Sequence, residues 1–265
     1  MHWPRLVDGD GCLVTDLERF IGQLRSASSG ASDRIQLLKR LLKLIAPKSI
    51  LEIGVWEGFL VQRVFADIPG LRSYVGIDPW RQLENWEKPL NYDSARIARA
   101  KKKATLALET MPCSAEYLIG TTLEVRGKLE TGSFDAVYID GDHTLRGVTI
   151  DLISSLPLVR EGGLILGDDA EPNIWQHGTR FAPTLVFPMV LHFAEAHQLP
   201  MVFLPHGQFV IWNRPDLGFY CANLSGANFS VDNGLFQAPQ GATWRNSFQR
   251  IFARFRRRKD SGEIG

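Results

Sequence analysis

The stretch Ser49-Ile-Leu-Glu-Ile-Gly-Val-Trp-Glu-Gly58 predicts a buried strand that ends in a glycine-bearing turn and continues into a helix. Ile50, Leu51 and Ile53 supply the apolar residues of the strand, and apolar residues recur at helical spacing from Phe59 onward. Glycine lets the backbone turn sharply and approach a ligand, and the N–H groups that open the following helix have no partner within it. The stretch therefore predicts a binding site for a nucleotide-like ligand.

The residues of this turn indicate which ligand it accepts. A dinucleotide needs glycine at three positions, G-x-G-x-x-G, so that its pyrophosphate can contact the backbone. Trp56 stands at the second position and Phe59 at the third, which blocks a pyrophosphate. Glu52 lies near the end of the strand and Asp78 at the end of the next. Because two such acids repel phosphates, they suit an amino group and ribose hydroxyls instead.

The spacing Glu52-x-Gly54-x-x-x-Gly58 resembles the first motif of the class I S-adenosylmethionine-dependent methyltransferases, and the resemblance extends from about residue 34 to residue 212. It implies that the two glycines lie along the methionine part of S-adenosylmethionine, that Glu52 supports its ammonium group and that Asp78 holds its ribose. The turn after the third strand would contact the adenine. The cofactor-binding residues implied by the resemblance are Glu52, Gly54, Gly58, Asp78, Gly120, Thr121 and Asp140.

Composition narrows the class of protein. The chain has 265 residues, 45% of them hydrophobic, so it can bury a full core. Its net charge of +1 gives no general reason to expect nucleic acid as a partner. The three cysteines are scattered without metal spacing, which favours reduced thiols. Neither a signal peptide nor a run of roughly 18 apolar residues is present, and we expect a cytoplasmic protein.

Strand and helix patterns alternate from residue 34 onward, which predicts an α/β fold with a doubly wound, mostly parallel sheet and helices on both faces. Residues 201–204 and 208–212 predict a C-terminal antiparallel hairpin. The resemblance implies a Rossmann-like sheet of seven strands. We assign residues 1–33 to a helical N-terminal cap and linker, 34–213 to a methyltransferase domain and 214–265 to a C-terminal extension.

Two long connections are candidates for the rim of the site. Residues 79–93 are polar and aromatic without a clean period, which favours either a lid or a packed surface loop. Residues 171–183 are long for a strand-to-helix connection and contain His177. We expect these loops to line the pocket of the methyl acceptor, although nothing in them identifies that molecule.

The C-terminal tail combines an apolar helical stripe, which begins at Trp244, with the basic run 256–259. This pattern predicts a helix that either docks on its own domain or makes peripheral contact with a membrane surface or a partner. The sequence also leaves homo-oligomerisation open.

Acidic residues follow two neighbouring strands of the predicted sheet. Asp140 and Asp142 come after the fourth strand, and Asp168 and Asp169 after the fifth. Because the carboxyl ends of parallel strands meet at one edge, we expect these side chains to converge, and an oxygen-only set favours a hard cation such as Mg²⁺. The alternative is that Asp142 caps the next helix and the aspartate pair ends a strand at the surface.

These acids resemble those of the metal-dependent O-methyltransferases, in particular the macrolide and aminocoumarin sugar methyltransferases and cephalosporin hydroxylase-like proteins. The resemblance implies that Asp140, Asp168 and Asp169 hold the metal and that Asp142 or His143 is the catalytic base. The double aspartate favours the sugar and natural-product branch. The predicted activity is therefore methyl transfer to a hydroxyl of a small molecule, with the metal lowering the pKa of that hydroxyl.

Three other functions stay open. A binding protein of the same fold would bind S-adenosylmethionine without turning it over. A nicotinamide-dependent oxidoreductase is disfavoured by Trp56. A hydroxylase is suggested only by the cephalosporin hydroxylase-like relatives, and the sequence shows no histidine-rich iron triad. A nucleic-acid substrate is not expected, because the core lacks a basic stripe.

Overall fold

The computed structural model describes residues 13–84 and 86–227, so the predicted basic helix near Trp244 lies outside the described residues. Two helices precede the sheet, α1 (Leu13–Ser28) and α2 (Arg34–Ile45). The α2 helix begins at Arg34 because the side chain of Asp33 accepts a hydrogen bond from the backbone N–H of Gln36, which satisfies one of the free donors of the first turn. Its buried leucines pack against α1 and the sheet.

Strands and helices then alternate as the hydrophobic pattern predicts. The helices are α3 (Phe59–Arg63), α4 (Ser94–Leu108), α5 (Thr122–Val125), α6 (Leu145–Ser155) and α7 (Val186–Ala196). The strands are β1 (Ser49–Ile53), β2 (Ser73–Asp78), β3 (Ser114–Ile119), β4 (Phe134–Ile139), β5 (Val159–Gly167), β6 (Pro200–Phe203), β7 (Phe209–Trp212) and β8 (Tyr220–Asn223).

The strands form one sheet in the order β3-β2-β1-β4-β5-β7-β6-β8. Strands β1 to β5 pair in parallel, and β7 runs antiparallel to both β5 and β6. This confirms the predicted Rossmann-like sheet with a C-terminal antiparallel hairpin. The prediction of seven strands was wrong by one, since β8 pairs in parallel with β6 and extends the sheet.

The core has two layers, one on each face of the sheet. Successive side chains of a strand point to opposite faces. Accordingly, Leu51 and Ile53 pack beneath α6 and α7, whereas Ile50 packs on the side of α2 and α3. Glu52 shares the face of Ile50 by this alternation, which places a carboxyl group inside an apolar layer.

The strand order reverses between β1 and β4, and in open α/β sheets ligands bind at the carboxyl ends of the strands at such a point. The turns after β1, β2, β4 and β5 therefore meet at one edge of the sheet. As for membranes, no helix in the described ranges combines the length and the apolar character that crossing a bilayer requires.

Candidate active site

The turn after β1 depends on Gly54. Its φ angle is +91°, and a Cβ atom built there would lie 2.0 Å from the backbone oxygen of Asp140, so no side chain fits. Its N–H donates to the backbone oxygen of Ile77 at 2.9 Å. Gly54 thereby brings the ends of three adjacent strands into contact.

Gly58 serves a different purpose. It has a φ angle of +74° and precedes α3, but a Cβ atom there would lie 2.6 Å from the Cβ of Ala107 on α4. It lines neither of the two cavities described below. The structure therefore shows Gly58 packed against α4, and its role beside the cofactor stays a prediction.

Asp78 is held at the end of β2 by the backbone of two tryptophans. Its Oδ2 accepts the N–H of Trp56 and its Oδ1 the N–H of Trp80, both at 2.8 Å. Both tryptophans have positive φ angles, +51° and +37°, a strained conformation that these hydrogen bonds help to maintain. Burial raises the pKa of Asp78 above its ordinary value, and the backbone N–H groups oppose that shift.

Glu52 is 1% exposed and accepts a hydrogen bond from the hydroxyl of Tyr74. Burial raises the pKa of Glu52 to about 8, against the opposing effect of the Tyr74 hydrogen bond. At neutral pH in this arrangement, the carboxyl group therefore holds its proton for most of the time. A cationic group of a ligand would favour the ionised form.

Two cavities lie side by side over this edge of the sheet. The β2-side cavity has a volume of about 730 Å³, and its walls include Asp78, Ile97, Gly120, Thr121, Asp142 and Asp151. The β5-side cavity has a volume of about 1020 Å³, and its walls include Arg34, Glu52, Lys88, His143, Asp168, Asp169 and His177. The residues common to both walls are Gly54, Trp56, Trp86, Leu90, Asp140 and Gly141.

Residues 79–93 and 171–183, which we expected at the rim, join over the β5-side cavity. The buried ammonium group of Lys88 donates to the backbone oxygen of Pro183 at 3.1 Å and to Oγ1 of Thr184 at 3.0 Å. The N–H of Ala182 donates to the backbone oxygen of Glu87 at 2.9 Å. These bonds make the two segments a single cover.

Three of the four aspartates, Asp140, Asp168 and Asp169, converge as predicted at the β5-side cavity, whereas Asp142 lines the other cavity. A side chain from α2 lies among the three. The guanidinium of Arg34 forms a close ion pair with Asp168 and a second with Asp140, at 3.4 Å. Asp168 also accepts a hydrogen bond from Gln208. Sequence reasoning missed Arg34 because its partners lie more than a hundred residues away; its place at the start of α2 was the only signal.

Asp169 has a histidine on either side. Its Oδ2 lies 2.5 Å from Nδ1 of His143 and 3.5 Å from Nε2 of His177. Burial lowers the pKa of His143, but the hydrogen bonds and charges of Asp140 and Asp169 outweigh burial and raise it to about 10. Burial raises the pKa of Asp169, and its contacts with His143 and His177 outweigh that effect and lower it.

Asp142 lines the β2-side cavity, and both of its carboxylate oxygens accept hydrogen bonds from the protein. Its Oδ1 accepts hydrogen bonds from Nε1 of Trp86 and the N–H of Thr144, and its Oδ2 accepts the hydroxyl of Thr144 at 3.0 Å. Thr144, rather than Asp142, caps α6. The structure therefore assigns Asp142 to holding Trp86 against the site.

The arrangement does not fit the predicted magnesium site. Asp140 and Asp168 share a guanidinium, which neutralises the acids that the metal was expected to neutralise. In residues 13–84 and 86–227, the histidine, cysteine or acidic side chains that form a group of at least three, with all ligand atoms within 4.8 Å of one another, are His143, Asp169 and His177. The sequence analysis did not find this cluster of two histidines and one carboxylate, because its members are far apart in the sequence.

Comparisons with known proteins agree with this architecture. Residues 51–170 match the family model described as a methyltransferase domain. A cofactor-bound protein from MTB, Rv0187, has a TM-score of 0.51 at 18% sequence identity, over 79% of this chain and 93% of that chain. A Staphylococcus aureus protein assigned as a caffeoyl-CoA O-methyltransferase has a TM-score of 0.51 at 19% identity, over 77% and 92%. No curated protein sequence matches the chain. At such identities, the two structures establish a shared fold.

Proposed function

We propose that this chain, whose residues 51–170 form a methyltransferase domain of class I fold, transfers the methyl group of S-adenosylmethionine to a hydroxyl of a small molecule. The observation that carries the proposal is the pair of cavities with a common wall at Gly54, Trp56 and Asp140. One cavity suits a nucleoside and the other is lined by ionisable groups. A sulfonium methyl at the common wall would face an acceptor in the β5-side cavity.

The cofactor roles follow from charge and position. Asp78 lines the β2-side cavity, where its carboxylate can accept hydrogen bonds from ribose hydroxyls. Gly120 and Thr121 line the same cavity, and the adenine would lie beside them. Glu52 borders the β5-side cavity, where the ammonium group of the methionine part would draw it into its ionised form. Gly54 allows the backbone to approach the methionine part closely.

Oxygen is the proposed methyl acceptor. The Staphylococcus aureus protein of the same fold is assigned to O-methylation. The β5-side cavity combines the apolar surfaces of Trp86 and Leu90 with the polar groups of His143 and Asp169, which suits a hydroxylated molecule of the sugar or natural-product type. We propose no nucleic-acid partner.

Methyl transfer from a sulfonium needs an acceptor oxygen in line with the methyl and a group that takes the hydroxyl proton. His143 borders the acceptor cavity, whereas Asp142 borders the other, so position favours His143 as the base. Its pKa of about 10 means that the ring must first release a proton. Magnesium has no part in this proposal, because Arg34 pairs with two of its three expected ligands.

The test is calorimetric titration of S-adenosylmethionine into the protein, its Asp78→Asn variant and its Asp67→Asn variant, followed by a screen of hydroxylated acceptors for release of S-adenosylhomocysteine. We expect wild type and the surface control Asp67→Asn to bind equally and Asp78→Asn to bind at least about tenfold more weakly. Absence of binding by wild type contradicts the proposal. Binding without turnover of any acceptor favours the binding-protein alternative, and binding of a nicotinamide cofactor favours the oxidoreductase.

A further inference from the structure

We propose that His143, Asp169 and His177 form a binding site for a divalent transition-metal ion, such as Mn²⁺, Fe²⁺, Co²⁺ or Zn²⁺. These residues come from three places in the chain: the turn after β4, the turn after β5 and the rim segment 171–183. The inference goes beyond the proposed function, because the site would bind its ion whether or not the protein transfers methyl groups.

The distances suit a common ion. Ligand atoms at metal distances of about 2.0–2.2 Å lie roughly 3 to 3.5 Å apart from one another. Oδ2 of Asp169 is 3.5 Å from Nε2 of His177, and its 2.5 Å contact with Nδ1 of His143 requires only a small separation. The other ring nitrogen of His143, Nε2, is inaccessible to solvent and lies 3.4 Å from Oδ1 of Asp140. A carboxylate beside the second ring nitrogen is typical of histidines that bind a metal through the first.

The backbone holds the three side chains in place before any ion arrives. Asp169 has a φ angle of +61°, and its carbonyl oxygen accepts a hydrogen bond from Nε2 of Gln176, the residue before His177. The carbonyl oxygen of His143 accepts the N–H of Leu185 at 2.9 Å, which fixes the end of the rim segment to the turn after β4. Strain at a non-glycine residue is typical of functional sites.

Charge separates this site from the predicted carboxylate site. Arg34, which is always charged, pairs with Asp140 and Asp168. Asp169 pairs instead with His143 and His177, whose rings can lose their protons to bind a metal. Two imidazoles and one carboxylate form a borderline donor set that prefers transition metals to Mg²⁺, which prefers oxygen ligands and ordered water. The adjoining β5-side cavity leaves room for further ligands, as a site that acts on a substrate requires.

Binding of the ion would also change the role of His143. An imidazole whose nitrogen binds a metal cannot accept the proton of a hydroxyl, so Asp142 would be the remaining candidate base. His143 can therefore serve either as a metal ligand or as the base, but not as both. Metal titration distinguishes these two roles without any assay of methyl transfer.

The experiment is titration of Co²⁺, Mn²⁺ and Mg²⁺ separately into metal-stripped full-length protein, with calorimetry for affinity and the visible absorption of Co²⁺ for ligand geometry. The variants are His177→Ala, the surface histidine control His192→Ala, and Asp168→Asn, each checked for folding by circular dichroism. We expect Co²⁺ to bind more tightly than Mg²⁺. We also expect His177→Ala to weaken Co²⁺ binding at least about tenfold and to alter its spectrum, while His192→Ala behaves as wild type.

Three outcomes would overturn the site. One is wild-type protein that binds neither Co²⁺ nor Mn²⁺, and another is His177→Ala with unchanged Co²⁺ affinity and spectrum. The third is loss of metal binding in Asp168→Asn together with a preference for Mg²⁺, which would establish the carboxylate site instead. Because S-adenosylmethionine binding is measured separately, failure of the metal site leaves the proposed function untouched.

Discussion

At the scale of single residues, some members of the candidate site could be predicted from the sequence and others could not. Glu52, Gly54 and Asp78 could be predicted as site residues because their signal is local: an acid, a glycine and a second acid at the ends of two strands. The contributions of Arg34, Lys88 and His177 could not be predicted, because each depends on partners that only the folded chain brings near. Spacing along the sequence contains no information about such contacts.

The pH dependence of stability should report the burial of Glu52. Its pKa is about 8 in the folded protein and near 4.5 in the unfolded chain, so the folded state binds the proton more tightly. The favourable contribution is complete below pH 4.5 and is lost as the pH rises to 8. Urea titrations give the free energy of unfolding at each pH. Between pH 5 and pH 8.5 we expect this free energy to fall less in Glu52→Gln than in wild type, with a difference on the order of a few kcal/mol.

The exposed variant Glu109→Gln serves as the control and should follow wild type. Burial also raises the pKa of Asp151 to about 7, so its contribution to the stability of the protein is likewise lost as the pH rises. The effect of Glu52 is therefore the difference between Glu52→Gln and wild type. Equal pH dependence of Glu52→Gln and wild type would show that Glu52 does not titrate in this range.

Gly54→Ala should destabilise the protein by at least about 1 kcal/mol and weaken cofactor binding, because the added Cβ would overlap the backbone at Asp140. Gly127→Ala is the matched control, since a Cβ there meets no atom within 4 Å. Thermal unfolding and calorimetry measure the two effects. A stable Gly54→Ala protein with normal cofactor affinity would mean that the close approach of the two turns is not required.

At the scale of elements, the rim segments 79–93 and 171–183 form one cover rather than two independent loops. Their length and composition predicted that they border the site, but a polar loop has no periodic pattern from which its partner could be predicted. Lys88 joins them from a buried position. Burial lowers the pKa of Lys88, and the charges of Asp142 and Asp169 partly offset this shift. The hydrogen bonds to Pro183 and Thr184 replace those that the ammonium group would make with water.

Lys88→Met should therefore loosen both rim segments together. We expect faster hydrogen exchange in residues 79–93 and 171–185, equivalent to about 1–3 kcal/mol of local stability, with little change in the central strands. Lys102→Met, which alters an exposed lysine on α4, is the control. Faster exchange in only one of the two segments would show that they move separately.

At the scale of the whole molecule, the alternation of strands and helices predicted the parallel sheet and its hairpin. Residues 51–170 match a model described as a methyltransferase domain, in agreement with the class I resemblance. The eighth strand was not predicted, because Tyr220–Asn223 has only four residues and shows no alternation of apolar and polar residues. Such a strand forms because the edge of β6 is available to pair with it, which is a property of the assembled sheet.

Ala222→Pro should weaken that edge. The N–H of Leu224 donates to the backbone oxygen of Phe203, and Ala222, two residues earlier, points its own N–H to the same side. Proline removes this donor, so we expect a loss of about 1–2 kcal/mol in thermal unfolding, whereas Ala222→Val should be neutral because valine keeps the N–H. An Ala222→Pro protein as stable as wild type would show that β8 contributes nothing to the sheet.

The origin of Arg34 limits how this domain can be moved between proteins. Residues 51–170 contain every strand end that builds the site, yet the guanidinium that neutralises Asp140 and Asp168 comes from α2, before that range begins. A graft of residues 51–170 into another chain would carry the carboxylates without their counter-charge. The smallest transplantable unit therefore starts at the Asp33 cap of α2, and chimeras joined later would inherit the pocket with a different charge.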